Sequence, residues 1–190
     1  MDTMFTIAVG LGLSAASGFR AFVPMLVMSL AARSGHLALA PGMEWVASDA
    51  ALTVLATATV AEILAYYVPW LDNLLDAIAT PMAVAAGTLA TASVLTDLSP
   101  LLRWALAVII GGGTAGIIQG LTVALRLASS AMTGGLGNPI LATGELLGAI
   151  TVAVLAILAP VSALGIVVVL VVVALRKAGR LLRRRGATAS

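Results

Sequence analysis

Four polar side chains stand inside long apolar runs of this sequence. Arg20 and Gln119 interrupt two of these runs, and Glu62 and Glu145 lie within two others. By insertion scales, an Arg at the centre of a bilayer costs about 2.5–3.5 kcal/mol, so it needs a carboxylate, backbone carbonyls, water or a ligand as its partner. We therefore expect these four residues to line the pathway of a substrate or ion.

Arg20 and Glu62 are the most direct partners for each other. In one interpretation they form an ordinary buried salt bridge, and in the other they belong to a site that binds a ligand or gates a pathway. Glu62 could also carry protons if it has no partner, because an intramembrane carboxylate is a functional candidate by default. The residue types alone leave these interpretations open.

The segment Thr133-Gly-Gly-Leu-Gly-Asn-Pro separates two apolar runs and precedes Glu145. Asn138 suits a helix cap and Pro139 the first helical position, while the glycines permit positive φ angles and close backbone approach. The free N–H groups of a helix start would attract an anion, whereas Glu145 would attract a cation. We predict a gate here, and a plain capped loop is the alternative.

Asp72 and Asp76 are four residues apart and share one face of a predicted helix that begins at Pro69. They indicate either a cation-attracting mouth beside the gate or the solvated face of an interfacial helix. The predicted gate residues are Asp72, Asp76, Thr133, Gly134, Gly135, Gly137, Asn138 and Pro139.

The composition is that of a membrane protein. Of the 190 residues, 61% are hydrophobic and 9% are charged, whereas soluble domains carry about 25% charged residues. The sequence has no Cys and one His, His36, which excludes thiol catalysis, Cys-ligated metals and a His-rich metal cage. We therefore expect no enzyme activity, no cofactor and no metal site.

Six apolar segments are long enough to be membrane helices, and no period-two pattern indicates strands. The sequence therefore predicts an all-α, six-helix integral membrane bundle. The first and fourth segments are interrupted, near "SAASGFRAF" and "GGGTAG" respectively. The six segments are residues 4–33, 49–68, 78–96, 101–132, 139–159 and 161–175.

The basic C-terminal tail predicts the orientation. Residues 179–190 are rich in Arg, which places the tail in the cytoplasm, and six spans then place the N-terminus there too. Nucleic-acid binding is not expected, because such a tail anchors the topology next to anionic lipid.

Sliding the sequence by 99 residues aligns the two interrupted segments and places Arg20 on Gln119. We therefore predict a single domain, 1–190, in which residues 1–98 and 99–178 form an inverted repeat of three helices each. Small-residue runs are compatible with a homo-oligomer, but equally with packing inside one chain.

Three stretches carry a family resemblance: "GLGLSAASGFRAFVPML", "AEILAYYVPWLDNLLD" and "TGGLGNPILATGE". Together they resemble the bacterial membrane family known as domain of unknown function 4126. The resemblance implies a multi-pass protein of the bacterial cytoplasmic membrane and brings no established activity. The chain departs from the family at Tyr66 and Tyr67, where members often have Asp-Lys, and at Gly144, where they often have a second acidic residue beside Glu145.

Matched helix breaks with polar residues favour a small transporter or permease for an ion or small polar solute. A non-transporting protein that handles lipid, or that assembles with another membrane complex, is the alternative. The expected partners are the lipid bilayer and a small solute or ion.

Overall fold

The computed structural model describes residues 3–187, with side chains described except at 69–77, 174–175 and 177–187. Within these residues the regular secondary structure is entirely helical and includes no strand, which confirms the predicted all-α class. The elements are α1 (Thr3–Phe19), α2 (Phe22–Arg33), a 3₁₀ turn (Glu44–Ala47), α3 (Asp49–Ala65), α4 (Pro69–Val94), α5 (Pro100–Leu106), a π-helical segment (Ala107–Gly112), α6 (Gly113–Thr133), α7 (Asn138–Leu158) and α8 (Pro160–Ala187).

Local sequence explains most helix boundaries. The Ser48 side chain accepts a hydrogen bond from the Ala51 N–H at 3.1 Å and so caps α3. Helices α4, α5 and α7 carry Pro in their first turn, where its missing N–H has no cost. Helix α6 ends at Gly134, whose φ of 63° is left-handed.

Helices α1 and α2 form a hairpin that reverses at Arg20 and Ala21. Gly12 of α1 packs on Ala156, near the end of α7, whereas Phe19 lies beside Gly148, nearer the start of α7. Helix α2 then runs back, since its last turn shares a groove with Val154 and Leu158. The prediction of one interrupted span over residues 4–33 is therefore wrong, because the interruption is a reversal of direction.

The two ends of the bundle are called the Arg33 end and the Gly135 end, after residues that lie there. At the Arg33 end, α2 finishes next to the start of α3, and Arg33 Nη2 lies 2.7 Å from Asp49 Oδ1. At the Gly135 end, α3 turns into α4 and α6 turns into α7. Helix α1 starts at the Arg33 end, and α8 runs from that end along α1 and α6 toward the Gly135 end. The described termini thus lie at opposite ends, whereas the six-span prediction placed both termini on one side.

The two segments aligned by the predicted repeat run in the same direction. The Ser14 hydroxyl of α1 donates to the Gly111 carbonyl, and Gly18 lies against Ala115 and Ile118 one to two turns further along both segments. In an inverted repeat the two equivalent segments run in opposite directions, which these two segments do not. The second predicted interruption is also absent, because residues 100–133 form one continuous helix that only changes to π geometry at 107–112.

Small residues bring the central helices into close contact. Helix α1 packs against α2, α4, α6, α7 and α8, and its residues 8–18 are buried except Leu11. A Cβ atom added at Gly87 of α4 would lie 2.6 Å from the Ala115 Cβ, so a larger residue does not fit. The glycine runs therefore serve packing in this fold.

Among the described residues, two helices are long and apolar enough to cross a membrane by length and composition, Pro100–Thr133 and Asn138–Leu158. Further apolar helices are shorter, and they are Thr3–Phe19, Phe22–Arg33, Ile78–Val94 and Pro160–Val173.

Candidate functional site

The four predicted pathway residues come together from separate elements. Arg20 lies in the turn between α1 and α2, Glu62 lies on α3, Gln119 on α6 and Glu145 on α7. Glu145 is seven residues after the start of α7, which places it about 10 Å from the Gly135 end at 1.5 Å per residue. The α1–α2 turn therefore reaches deep into the bundle from the Arg33 end.

Arg20 is almost completely buried, with 2% of its surface exposed. Its Nη2 donates to the Ala142 carbonyl at 2.9 Å and lies 3.7 Å from Glu145 Oε2. Its guanidinium carbon is 3.6 Å from the centre of the Tyr66 ring. The Nε and Nη1 atoms have no hydrogen-bond partner among the described residues. Arg20 thus keeps donors that this part of the protein does not use.

Arg126 of α6 holds the same carboxylate. Its Nε donates to Glu145 Oε1 at 3.1 Å, and its Nη2 contacts Glu145 Oε2 closely, which makes a two-pronged ion pair. The Arg126 guanidinium also lies over the Tyr66 ring, with its carbon 4.3 Å from the ring centre. Glu145 is therefore shared by two arginines that contact one aromatic ring.

Glu62 binds the backbone at the start of α2. Its Oε1 accepts from the Ala21 N–H at 2.9 Å and its Oε2 from the Phe22 N–H at 3.2 Å. These are free donors at the start of α2, so Glu62 caps that helix from α3. In place of the Arg20–Glu62 ion pair of one interpretation, Arg20 pairs with Glu145, because the α2 N–H groups occupy the Glu62 oxygens and the Arg20 side chain reaches α7.

A small cavity lies beside this cluster. It measures about 10 Å³ and is lined by Glu62, Tyr66 and Gln119 together with apolar side chains. A cavity of about 10–15 Å³ holds one water molecule. The polar lining and this size fit a single water between α3 and α6, and no larger solute.

The predicted gate segment covers the cluster at the Gly135 end. Gly134 and Gly135 have positive φ angles, 63° and 90°, and the Thr133 hydroxyl accepts from the Gly137 N–H at 3.0 Å. The segment is thus a closed turn, as its glycines predicted.

The predicted Asn138 cap is wrong. Helix α7 starts at Asn138 itself, with Gly137 in the cap position and Pro139 next in the first turn. The Asn138 Nδ2 donates instead to Ser130 Oγ at 3.1 Å, which ties α7 to the last turns of α6. The side chains of Asp72 and Asp76 lie outside the described residues.

Two residues of the cluster were missed by sequence reasoning. Arg126 lies near the end of its apolar run, where an arginine usually reaches the membrane surface, and Tyr66 has no unusual neighbours in sequence. The number of residues between each charged group and the predicted α6–α7 connection would have identified Arg126. Arg126 lies seven residues before Thr133, the same distance that separates Glu145 from Asn138, so a short α6–α7 connection places them at one level.

Comparison with known protein families gives a match over most of the chain. A family model described as "Domain of unknown function (DUF4126)" matches residues 7–180. No curated protein matches the chain, and no solved structure matches it. Within the part of the chain that the structure describes, no three His, Asp or Glu side chains form a group that could hold a metal ion.

Proposed function

The chain belongs to the family called domain of unknown function 4126, and from that starting point we propose that it is a small multi-pass membrane protein that moves an ion or small polar solute. The observation that carries the proposal is the convergence of Arg20, Glu62, Gln119 and Glu145 from four separate elements on one buried cluster. A pathway through a membrane needs such a cluster, because polar groups inside lipid must have partners.

The outer surface supports a membrane location. The mean hydropathy is +1.14, and large apolar side chains are exposed around the bundle, whereas soluble monomers rarely expose contiguous apolar patches above a few hundred Å². Lipid is the solvent that such a surface fits. Strongly exposed examples, on five different elements, are Val54, Leu101, Ile109, Ile140, Leu147 and Val161.

The helix directions support a specific topology. Helices α3, α4, α5–α6, α7 and α8 each run from one end of the bundle to the other, while α1 and α2 enter and leave at the Arg33 end. Helix α8 carries the basic tail toward the Gly135 end, so the positive-inside rule places that end in the cytoplasm. The N-terminus then lies on the opposite side.

The cluster has the features expected of a transport site. Non-helical backbone at membrane depth is tolerated where it is buried in protein, and the Arg20–Ala21 turn is such a place. Ionisable groups inside a membrane mark pathways for ions and protons by default. The cavity beside Glu62 and Gln119 has room for about one water molecule, so in this structure it is too small to hold a solute.

Flux measurements on reconstituted vesicles test the proposal. Vesicles carrying the full chain should take up at least one of Na⁺, K⁺, H⁺, chloride, nitrate or a small neutral solute faster than empty vesicles. Arg20→Gln should reduce that flux by about tenfold or more, because the replaced group is central to the cluster. Arg33→Gln, at an exposed pair, is the matched control and should leave the flux unchanged. Uptake equal to that of empty vesicles for every solute would contradict the proposal.

A non-transporting role is the second candidate, and the tight packing of the cluster favours it. Glu62 caps α2, and Glu145 is held by Arg126 and Arg20, so the same contacts would also lock α1 and α2 onto α3, α6 and α7. A bundle locked by these contacts is sufficient for a lipid-handling factor or for a subunit of a membrane complex. Absence of flux together with co-purification of a stoichiometric partner would favour this alternative.

A further inference from the structure

We propose that Arg20 and Arg126 form a binding site for a small monovalent anion, and that the Glu145 carboxylate occupies this site in the described state as a tethered competitor. The inference deepens the proposed function, since the anion would be the transported species, and in that respect it rests on it. Binding itself needs no transport, and can be measured separately.

The two arginines are held in place by contacts other than Glu145. Both guanidinium groups reach the same carboxylate, Arg126 at 3.1 Å through its Nε and Arg20 at 3.7 Å through its Nη2. Both also lie over the Tyr66 ring, at 4.3 and 3.6 Å from its centre respectively. Because the ring contacts do not involve the carboxylate, the pair of cations persists when the carboxylate leaves.

Arg20 offers donors that an anion could use. A guanidinium has five N–H donors and no acceptor. Arg20 uses Nη2 for the Ala142 carbonyl, while Nε and Nη1 have no partner among the described residues although the side chain is 1% exposed. Buried donors without partners are costly. An anion that enters beside Glu145, or replaces it, would satisfy them.

The charge of the cluster matches one monovalent anion. Glu62 is engaged with the Ala21 and Phe22 N–H groups and therefore stays with α2. If the Glu145 carboxylate moves out, the two arginines face one remaining carboxylate among the described groups. The site then carries one net positive charge, which a divalent anion would overcompensate.

Glu145 is the most accessible of the three charged groups that form these ion pairs. Its side chain is 10% exposed, against 1% for Arg20 and 3% for Arg126, so it is the group best placed to move away from the other two. The volume that the carboxylate vacates suits an anion of similar size, such as chloride, nitrate or formate, and is too small for a dicarboxylate.

Binding of these three anions to detergent-purified protein tests the inference. Sodium chloride, nitrate and formate are titrated calorimetrically at constant sodium concentration, with gluconate as the bulky reference anion. Glu145→Gln and Glu145→Ala should each bind at least one of the anions about tenfold or more tightly than the unmodified chain, because removing a tethered competitor raises the fraction of binding-competent sites. Glu44→Gln, in an exposed loop, is the matched control and should bind as the unmodified chain does.

A second set of variants assigns the binding to the arginines. Adding Arg20→Gln to Glu145→Gln should abolish the gain, whereas adding Arg126→Lys, which keeps the charge, should retain part of it. If the Glu145 variants do not fold, the binding of anions can be tested on the unmodified chain. Its melting temperature should rise with chloride, nitrate or formate relative to gluconate at equal sodium concentration, as mass action requires of a ligand that binds the folded state.

The outcomes separate this inference from the proposed function. Tighter binding in the Glu145 variants without flux in vesicles would support the anion site and contradict transport. Flux of a cation or neutral solute with no anion binding in any variant would support transport and overturn the anion site. Equal affinities of the unmodified chain and both Glu145 variants, or an unchanged gain after Arg20→Gln, would also overturn it.

Discussion

The Glu62 carboxylate and the Ala21 backbone N–H are hydrogen-bonded at 2.9 Å although 41 residues separate them in the chain. The contact explains how a chain of mostly Ala, Leu and Val can reverse inside the bundle. The first N–H groups of a helix have no partner within the helix, and a reversal at Arg20 leaves those of α2 buried. A carboxylate on α3 satisfies two of them and also favours the positive end of the helix dipole.

Replacement of Glu62 should therefore destabilise the hairpin. Glu62→Ala removes two hydrogen bonds to a charged acceptor, each worth about 1.5–3 kcal/mol, so the melting temperature in detergent should fall by several degrees. Glu62→Gln keeps one acceptor oxygen and should lose less. Glu44→Ala should change little, because Glu44 is exposed and its carboxylate accepts from the Gly42 N–H two residues away. Equal melting temperatures for Glu62→Ala and Glu44→Ala would show that the cap is unimportant.

Gly87 should tolerate no side chain. A Cβ there would lie 2.6 Å from the Ala115 Cβ and 2.9 Å from the Ser14 hydroxyl, and forced overpacking costs about 1–3 kcal/mol. Gly87→Ala should accordingly lower the free energy of unfolding by that amount in a denaturant titration.

Gly120 provides the matched comparison for Gly87, because it is also in a helix and a Cβ there would meet nothing within 4 Å. Gly120→Ala should be neutral or stabilise the protein by about 0.5–1 kcal/mol, since Ala is the better helix former. Two variants of similar stability would mean that α1, α4 and α6 do not pack as closely as described.

Gly135 should resist substitution for a conformational reason. Its φ of 90° lies where L-residues are disfavoured, although a Cβ there would meet nothing within 4 Å. Gly135→Ala should cost about 1–2 kcal/mol and, under the gate hypothesis, alter flux as well. Gly144→Ala is the control, because Gly144 also lies in open space but within helix α7. A difference between the two variants then reports the effect of the positive φ angle of Gly135. Protease accessibility of the α6–α7 turn, measured for both variants, should increase only for Gly135→Ala.

Replacing Arg103 should destabilise the protein more than replacing Arg33, although both side chains donate to backbone carbonyls. Arg103 is buried and its Nη1 donates to the Pro41 carbonyl at 2.9 Å, so Arg103→Gln should cost about 1.5–3 kcal/mol. The Arg33–Asp49 pair is exposed at both side chains, and such pairs contribute about 0–1 kcal/mol. Thermal unfolding of the two variants side by side distinguishes the cases, and a greater loss for Arg33→Gln would contradict the assignment of burial.

Much of the helical framework follows from local sequence. The apolar run after Asn138-Pro139 predicted α7 over 139–159, and the structure has Asn138–Leu158. Ser48 and Pro100 likewise mark the starts of α3 and α5, because Ser caps a helix and Pro suits its first turn. Each of these boundaries depends on residues within one or two turns, and such signals can be found in a sequence without knowing the rest of the fold.

The reversal at Arg20 could not be found in this way. An apolar run that kinks and an apolar run that turns back have the same composition, and the residue that stabilises the turn, Glu62, lies on α3. The wrong pairing of Arg20 with Glu62 has the same origin. Glu62 does lie beside the turn, but the reversal creates free N–H groups at the start of α2, and these occupy both Glu62 oxygens. Arg20, Glu62, Gln119 and Glu145 lie near one another, as polar groups in apolar surroundings must, and their place on a substrate or ion pathway stays a prediction.

The position of α1 also determines when the protein can complete its core. Helix α1 is synthesised before all five of the helices that surround it, α2, α4, α6, α7 and α8, and α8 is the last of these five. The nascent chain must therefore keep α1 among temporary neighbours until residue 160 and those that follow have been made. The packing around α1 can therefore be completed only after α8 has been translated, when the most enclosed helix receives its last contacts.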